Sequence, residues 1–133
     1  MNRILVAVLV LAAGVAAIGQ SKTTRELSYK EALEQAQKNS KTSDGATYDA
    51  AVSTYFGQHY GPIMDKCTSG PSPDLRTFEI VFRVAADGAA SHIMVWPETK
   101  VATCVRKNLA GAVFLKPPQR DYWAHIHMEL RAE

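Results

Sequence analysis

The chain opens on an apolar block and then follows two different rhythms. Ile4 to Ile18 is aliphatic apart from Gly14, with Asn2-Arg3 before it and small residues around its end. Further on, apolar positions recur at three- and four-residue steps, the helical period. Tyr29, Ala32, Leu33 and Ala36 make a thin stripe of this kind. Tyr48, Ala51, Val52, Tyr55, Phe56, His59, Tyr60, Ile63 and Met64 make a broad one. From Phe78 the period falls to two: Phe78, Ile80, Phe82 and Val84 alternate with Thr77, Glu79, Val81 and Arg83, the pattern of a half-buried strand.

Punctuation residues divide these segments. Ser28 can cap a first helix, with the Glu31 carboxylate reaching back, and Asn39 to Gly45 reads as a turn-rich linker. A second helix is predicted over about 46–67, with a kink at Gly61-Pro62. Thr68 to Pro73 is a loop, and Ala86-Asp87-Gly88 a hairpin turn. Ala90, Ile93 and Val95 mark a second strand ending at Pro97. Thr99 caps a third helix through about Val113, and Pro117-Pro118 breaks the chain. In a last strand, Tyr122 to Leu130, Ala124, Ile126, Met128 and Leu130 share one face, and Trp123, His125, His127 and Glu129 the other. The order α-α-β-β-α-β predicts an α+β fold, a three-stranded antiparallel sheet with helices on one face. A hairpin followed by a helical crossover puts the first strand in the centre and the last at an edge.

The opening block sets the expected compartment. About fifteen apolar residues after a basic start, with small residues at Ala17 and Gly19 or Val15 and Ala17, read as a signal peptide over 1–19 rather than a span, which needs about twenty. The divisions are then 1–19 leader, 20–45 N-terminal helix and linker, and 46–133 folded domain, in a periplasmic or secreted protein. No later stretch is apolar enough to span a membrane. Fifteen Lys and Arg against thirteen Asp and Glu, a formal charge of +2 without a basic cluster, give no reason to expect a nucleic-acid partner. The only two cysteines, Cys67 and Cys104, read as a structural disulfide in an exported chain. Both belong to helices that must cover the same sheet face, and they lack the Cys-x-x-Cys spacing of a redox pair.

These features together resemble a known family. A tyrosine-bearing helix ends in Cys67. The strand and turn Phe82-Arg83-Val84-Ala85-Ala86-Asp87-Gly88 follow, then Thr99, Cys104 in a helix that leads through Leu109 to Phe114, two prolines and a final strand. The arrangement, covering about Tyr55 to Leu130, resembles the TonB C-terminal-like domains, especially the AgmX/PglI C-terminal-domain branch. Ala90 departs from the larger aliphatic usual there, and Phe114-Leu115-Lys116-Pro117 from an immediate Phe-Pro. The resemblance implies a cell-envelope protein-binding module that accepts a peptide strand at its sheet edge, with no catalytic residues. It does not imply energy transduction, since the long proline-rich linker of full TonB is not in this sequence.

Little in the chain carries chemistry of its own. There is no nucleophile elbow, glycine-rich phosphate loop or haem-attachment motif, so neither an enzyme nor a cofactor is expected. His125 and His127 stand about 7 Å apart on one strand face and would ligate zinc or copper if a third ligand, such as His92 or Glu129, converged. Without one they are ordinary polar residues of a solvated face, and no metal is the expected state. Val81, Met94, Trp96 and Trp123 fall on the sheet face away from the cysteine-bearing helices. They form a contact patch unless the first helix folds over them. The candidate partner-binding residues are Met94, Trp96, Trp123, His125 and His127. The favoured reading is a non-enzymatic envelope domain binding a protein or peptide by strand addition; the alternative is a small envelope metal-binding protein using His125 and His127.

Overall fold

The computed structural model describes residues 25–132; the expected leader over 1–19 lies outside the described residues. The elements are α1 (Tyr29–Ser40), α2 (Ser43–Thr68), β1 (Phe78–Val84), β2 (Ala90–Trp96), α3 (Lys100–Asn108) and β3 (Tyr122–Met128). Class and order are those the sequence predicts. The sheet runs β2-β1-β3 and both pairings are antiparallel, so β1 is central and β3 an edge, as expected. Among the described residues no helix is long and apolar enough to cross a membrane.

The helices do not all lie on one face. Phe78, Ile80, Phe82 and Val84 of β1 join Tyr122, Ala124 and Ile126 of β3 beneath α2 and α3, which contribute Tyr48, Val52, Phe56, Val101 and Val105. On the opposite face α1 packs Ala32 and Ala36 against Val81 and Trp123. The fold is therefore three layers deep. The stripe on α1 is too thin to make a stable helix alone, but its alanines let the helix approach the sheet closely. The α1 cap is the one the sequence predicts: the Glu31 amide donates to Ser28 Oγ and the Ser28 amide to Glu31 Oε2.

The last strand stops at Met128 rather than Leu130, and the helical segments differ from the sequence reading in three places. The predicted linker shrinks to Lys41-Thr42, because Gly45 is helical. A Cβ on Gly45 would lie 1.9 Å from the Asn39 carbonyl oxygen, so only glycine lets the end of α1 press on the start of α2. The second helix runs through Pro62 with helical residues on both sides. The third helix stops at Asn108 rather than near Val113: Gly111 turns the chain at φ 77°, and Phe114 then donates its amide to the Gly88 carbonyl.

In β2, the inward set Ala90, Ile93 and Val95 contains one three-residue step, which a regular strand cannot supply. Arg83 pairs with Ser91 but Val81 with Met94, so the sheet takes up the extra residue as a bulge, with His92 at φ 51°. The Cys67–Cys104 disulfide is present, with a Cα separation of 5.6 Å, and ties the end of α2 to α3.

Candidate functional site

The edge of β3 is the part of the fold best placed to meet another molecule. In an antiparallel strand the N–H and C=O of one residue point the same way, alternating between neighbours. The Trp123 carbonyl points away from β1, since it accepts from Asn39 Nδ2 at 3.0 Å. The main-chain groups of His125 and His127 therefore point outward too, while Ala124 and Ile126 bond to Phe82 and Ile80. Among the described residues nothing else meets the main chain of His125 or His127. The edge is thus closed at its Trp123 end, by the turn from α1 into α2, and open along His125–His127.

The other edge is guarded. β2 carries the bulge at His92 and ends against Pro97, and its first residue, Ala90, donates its amide to the Ala112 carbonyl. Between Tyr122 and Met128, β3 has neither proline nor lysine.

The side chains on the outer face of β3 form a charged cluster around Glu79. β1 places Glu79 opposite His127 and, on the same face, two residues from Val81, which is opposite His125. Glu79 Oε2 lies 3.4 Å from His125 Nδ1, and Glu79 Oε1 bonds His127 Nδ1 directly. His127 Nε2 lies 3.5 Å from Glu129 Oε1. The hydrogen bond and the negative charge of Glu79 raise the His127 imidazole above its usual range. Burial, and after it the charge of Glu79, raises the Tyr29 phenol of α1. Sequence reasoning missed Glu79, because only the β1–β3 register brings it to the two histidines.

The expected contact patch is divided. Trp123, a candidate partner-binding residue, is only 8% exposed, because α1 lies over it and Val81. Met94 is partly buried at the margin of the same cluster. Trp96 remains 61% exposed, its ring centroid 6.4 Å from that of Tyr29. His92 does not join His125 and His127: its ring lies by Trp123, at the Arg83 end of the sheet, while His127 is at the Glu79 end. Among the described residues no group of three or more His, Cys, Asp or Glu is arranged to hold a metal ion. His59, placed by its spacing on the apolar stripe of α2, is exposed and stacks on Tyr55 with centroids 3.8 Å apart.

At the start of β3, Tyr122 donates to Asp49 Oδ1 at 3.0 Å, and burial raises both the Asp49 carboxyl and the Tyr122 phenol. This fastens the N-terminal end of β3 to α2 and leaves the far end of the strand as the accessible one. Comparison with family models, with curated proteins and with solved structures finds no match for the chain.

Proposed function

We propose that this chain is a non-enzymatic protein-binding domain of the bacterial cell envelope, periplasmic or secreted, which takes up an extended segment of a protein partner by strand addition to β3. The observation that carries this reading is the open main-chain edge at His125 and His127. An added strand would satisfy those groups with backbone hydrogen bonds, which give affinity, while the side chains on either face select sequence. Trp96, exposed on β2 beside the partly buried Tyr29, offers an aromatic surface on the outer face, across β1 from that edge.

The envelope setting is supported by the apolar block at Ile4–Ile18 and by the disulfide, a bond characteristic of oxidising compartments. The resemblance to TonB C-terminal-like domains of the AgmX/PglI branch favours the same mode of binding.

The test is crosslinked capture of the partner from the native envelope with a photoreactive residue at Glu129, followed by amide exchange on the complex. The reading requires the His125 and His127 amides, fast-exchanging in the free monomer, to become protected when the partner binds. A captured partner that leaves both amides unchanged would refute strand addition.

A further inference from the structure

We propose that the ridge presenting Val113 and Leu115, between the end of α3 and the solvent side of α2, rests on a bilayer surface of anionic phospholipids as a peripheral contact. It lies on the α2–α3 side of the sheet and is independent of the β3 edge.

The ridge is made by alternation. After the turn at Gly111 the chain runs extended, with Val113 bridged to Ala89, so successive side chains face out, in and out. Phe114 faces in: it is buried, its ring stacks on Phe82 with centroids 4.9 Å apart, and its amide donates to the Gly88 carbonyl at 2.8 Å. Tyr60 of α2 holds the same segment from the other side. Its hydroxyl donates to the Val113 carbonyl at 3.2 Å and accepts from the Val113 amide at 3.1 Å. Tyr48 adds a bond to the Leu115 carbonyl at 2.8 Å. A segment fastened in this way keeps its two aliphatic side chains outward, Val113 49% and Leu115 41% exposed. Beside Leu115 a shallow trough runs over Ala50, Ala51 and Thr54 to Tyr55, with no charged residue in its walls. Apolar groups gathered and held in water mark a surface that meets something else.

Charge indicates what that is. Lysines stand at both ends of the ridge: Lys66 and Lys107 where α2 meets the end of α3, and Lys116 directly after Leu115. Lys66 Nζ donates to the neutral Asn108 Oδ1 at 2.9 Å, and among the described residues none of the three lysines is ion-paired. The carboxylate of Asp87, in the adjoining turn, accepts from the Ala89 amide at 3.0 Å. Apart from these lysines the described chain carries more acidic than basic residues, so the positive charge belongs to this side. Tyr55, His59 and Lys66 share one stripe of α2. Tyrosine rings and lysines around a short apolar ridge are the composition of a membrane–water interface, with rings at the headgroups and ammonium groups on the phosphates. All three cations are lysines, mobile point charges that suit a fluid anionic surface; arginine would suit the fixed carboxylates of a protein.

The experiment sediments the full exported chain with vesicles of phosphatidylglycerol and phosphatidylcholine in equal parts, and with phosphatidylcholine alone. Binding is expected to the anionic vesicles and to fall with added salt. Lys66→Gln, Lys107→Gln and Lys116→Gln together should weaken it by about a hundredfold, at roughly fivefold per lysine. Val113→Ser with Leu115→Ser should weaken it by about tenfold. All five positions are exposed, so the urea midpoint should stay the same in every variant. Trp96 lies on the α1 face, and its fluorescence should not shift on binding. Failure to bind anionic vesicles at low salt would overturn the proposal. So would binding that survives the five substitutions, or a blue shift of Trp96, either of which places the contact elsewhere. Binding that needs the lysines but ignores Val113→Ser and Leu115→Ser would overturn the ridge contact in favour of diffuse attraction. A dimer of the free protein that those two substitutions dissolve would give the ridge to a second copy. The His125 and His127 amides test the β3 edge separately, whatever the vesicles show.

Discussion

Asn39 donates through Nδ2 to the backbone carbonyl of Trp123 at 3.0 Å, a buried bond between residues 84 apart in the chain. Gln35 Nε2 donates in turn to Asn39 Oδ1 at 3.1 Å. One side chain thus fixes the end of α1 to the edge of β3 and closes the part of that edge it reaches. Asn39→Ala removes the donor and is expected to destabilise the fold by about 1–2 kcal/mol. Urea unfolding of the two proteins measures this. Amide exchange of α1 should rise in the variant more than that of β1, because α1 loses its anchor while the central strand keeps both neighbours.

The strands were the most legible part of the sequence. Phe78 to Val84 alternates so regularly that its ends and its core-facing set follow from the residues alone, and its central place from the hairpin and crossover, although Val81 on the other face is buried as well under α1. The Ser28–Glu31 capping box is equally direct, because both partners lie within one turn of helix. What escaped the sequence depends on approach between segments. Gly45 looks like a linker residue until Asn39 O is found where its side chain would be. The stripe on α1 says that the helix must lie on something but not which sheet face. Trp123 could therefore be read as exposed or covered, and only the packed structure decides. Glu79 and its two histidines stand 46 and 48 residues apart, joined by strand register and by no local pattern.

Removing the Cys67–Cys104 bridge should be costly. It closes a loop across a sequence separation of 37, which the chain-entropy model converts to about 4 kcal/mol. That is a large share of the 5–15 kcal/mol that roughly spans domain stabilities. Little else at this junction compensates: Lys66 Nζ donates to Asn108 Oδ1 at 2.9 Å from an exposed position. The double variant Cys67→Ala, Cys104→Ala is expected to unfold at a clearly lower urea midpoint. An unchanged midpoint would show that packing between α2 and α3 suffices.

The two tryptophans should separate stability from binding. Trp123 is buried under α1, and Trp123→Ala is expected to cost about 3–5 kcal/mol in unfolding free energy. Trp96 is exposed, so Trp96→Ala should change stability by no more than about 0.5 kcal/mol. Its expected effect is on partner affinity, read by titrating the captured partner against both forms. Equal affinity for both would remove Trp96 from the contact surface.

The Glu79–His127 pair should give the fold a pH dependence of definite sign. The folded His127 imidazole titrates above its ordinary value, held up first by the hydrogen bond to Glu79 and then by the charges of Glu79 and Glu129. A group raised on folding binds its proton more tightly in the native state, so its contribution is complete below the unfolded value near 6.5. The contribution fades as pH rises through the higher folded value. Wild-type stability should therefore fall across that interval by more than the stability of His127→Ala, and the two curves should run parallel above it. Exposure and salt screening keep the difference small, and added salt should shrink it further. The direct measurement is NMR titration of the His127 ring in wild type and in Glu79→Gln. Loss of the carboxylate should bring the His127 midpoint down towards the ordinary histidine range. The same midpoint in both proteins would mean that Glu79 does not hold His127 in solution, and the outer face of β3 would lack the ion pair that orders it.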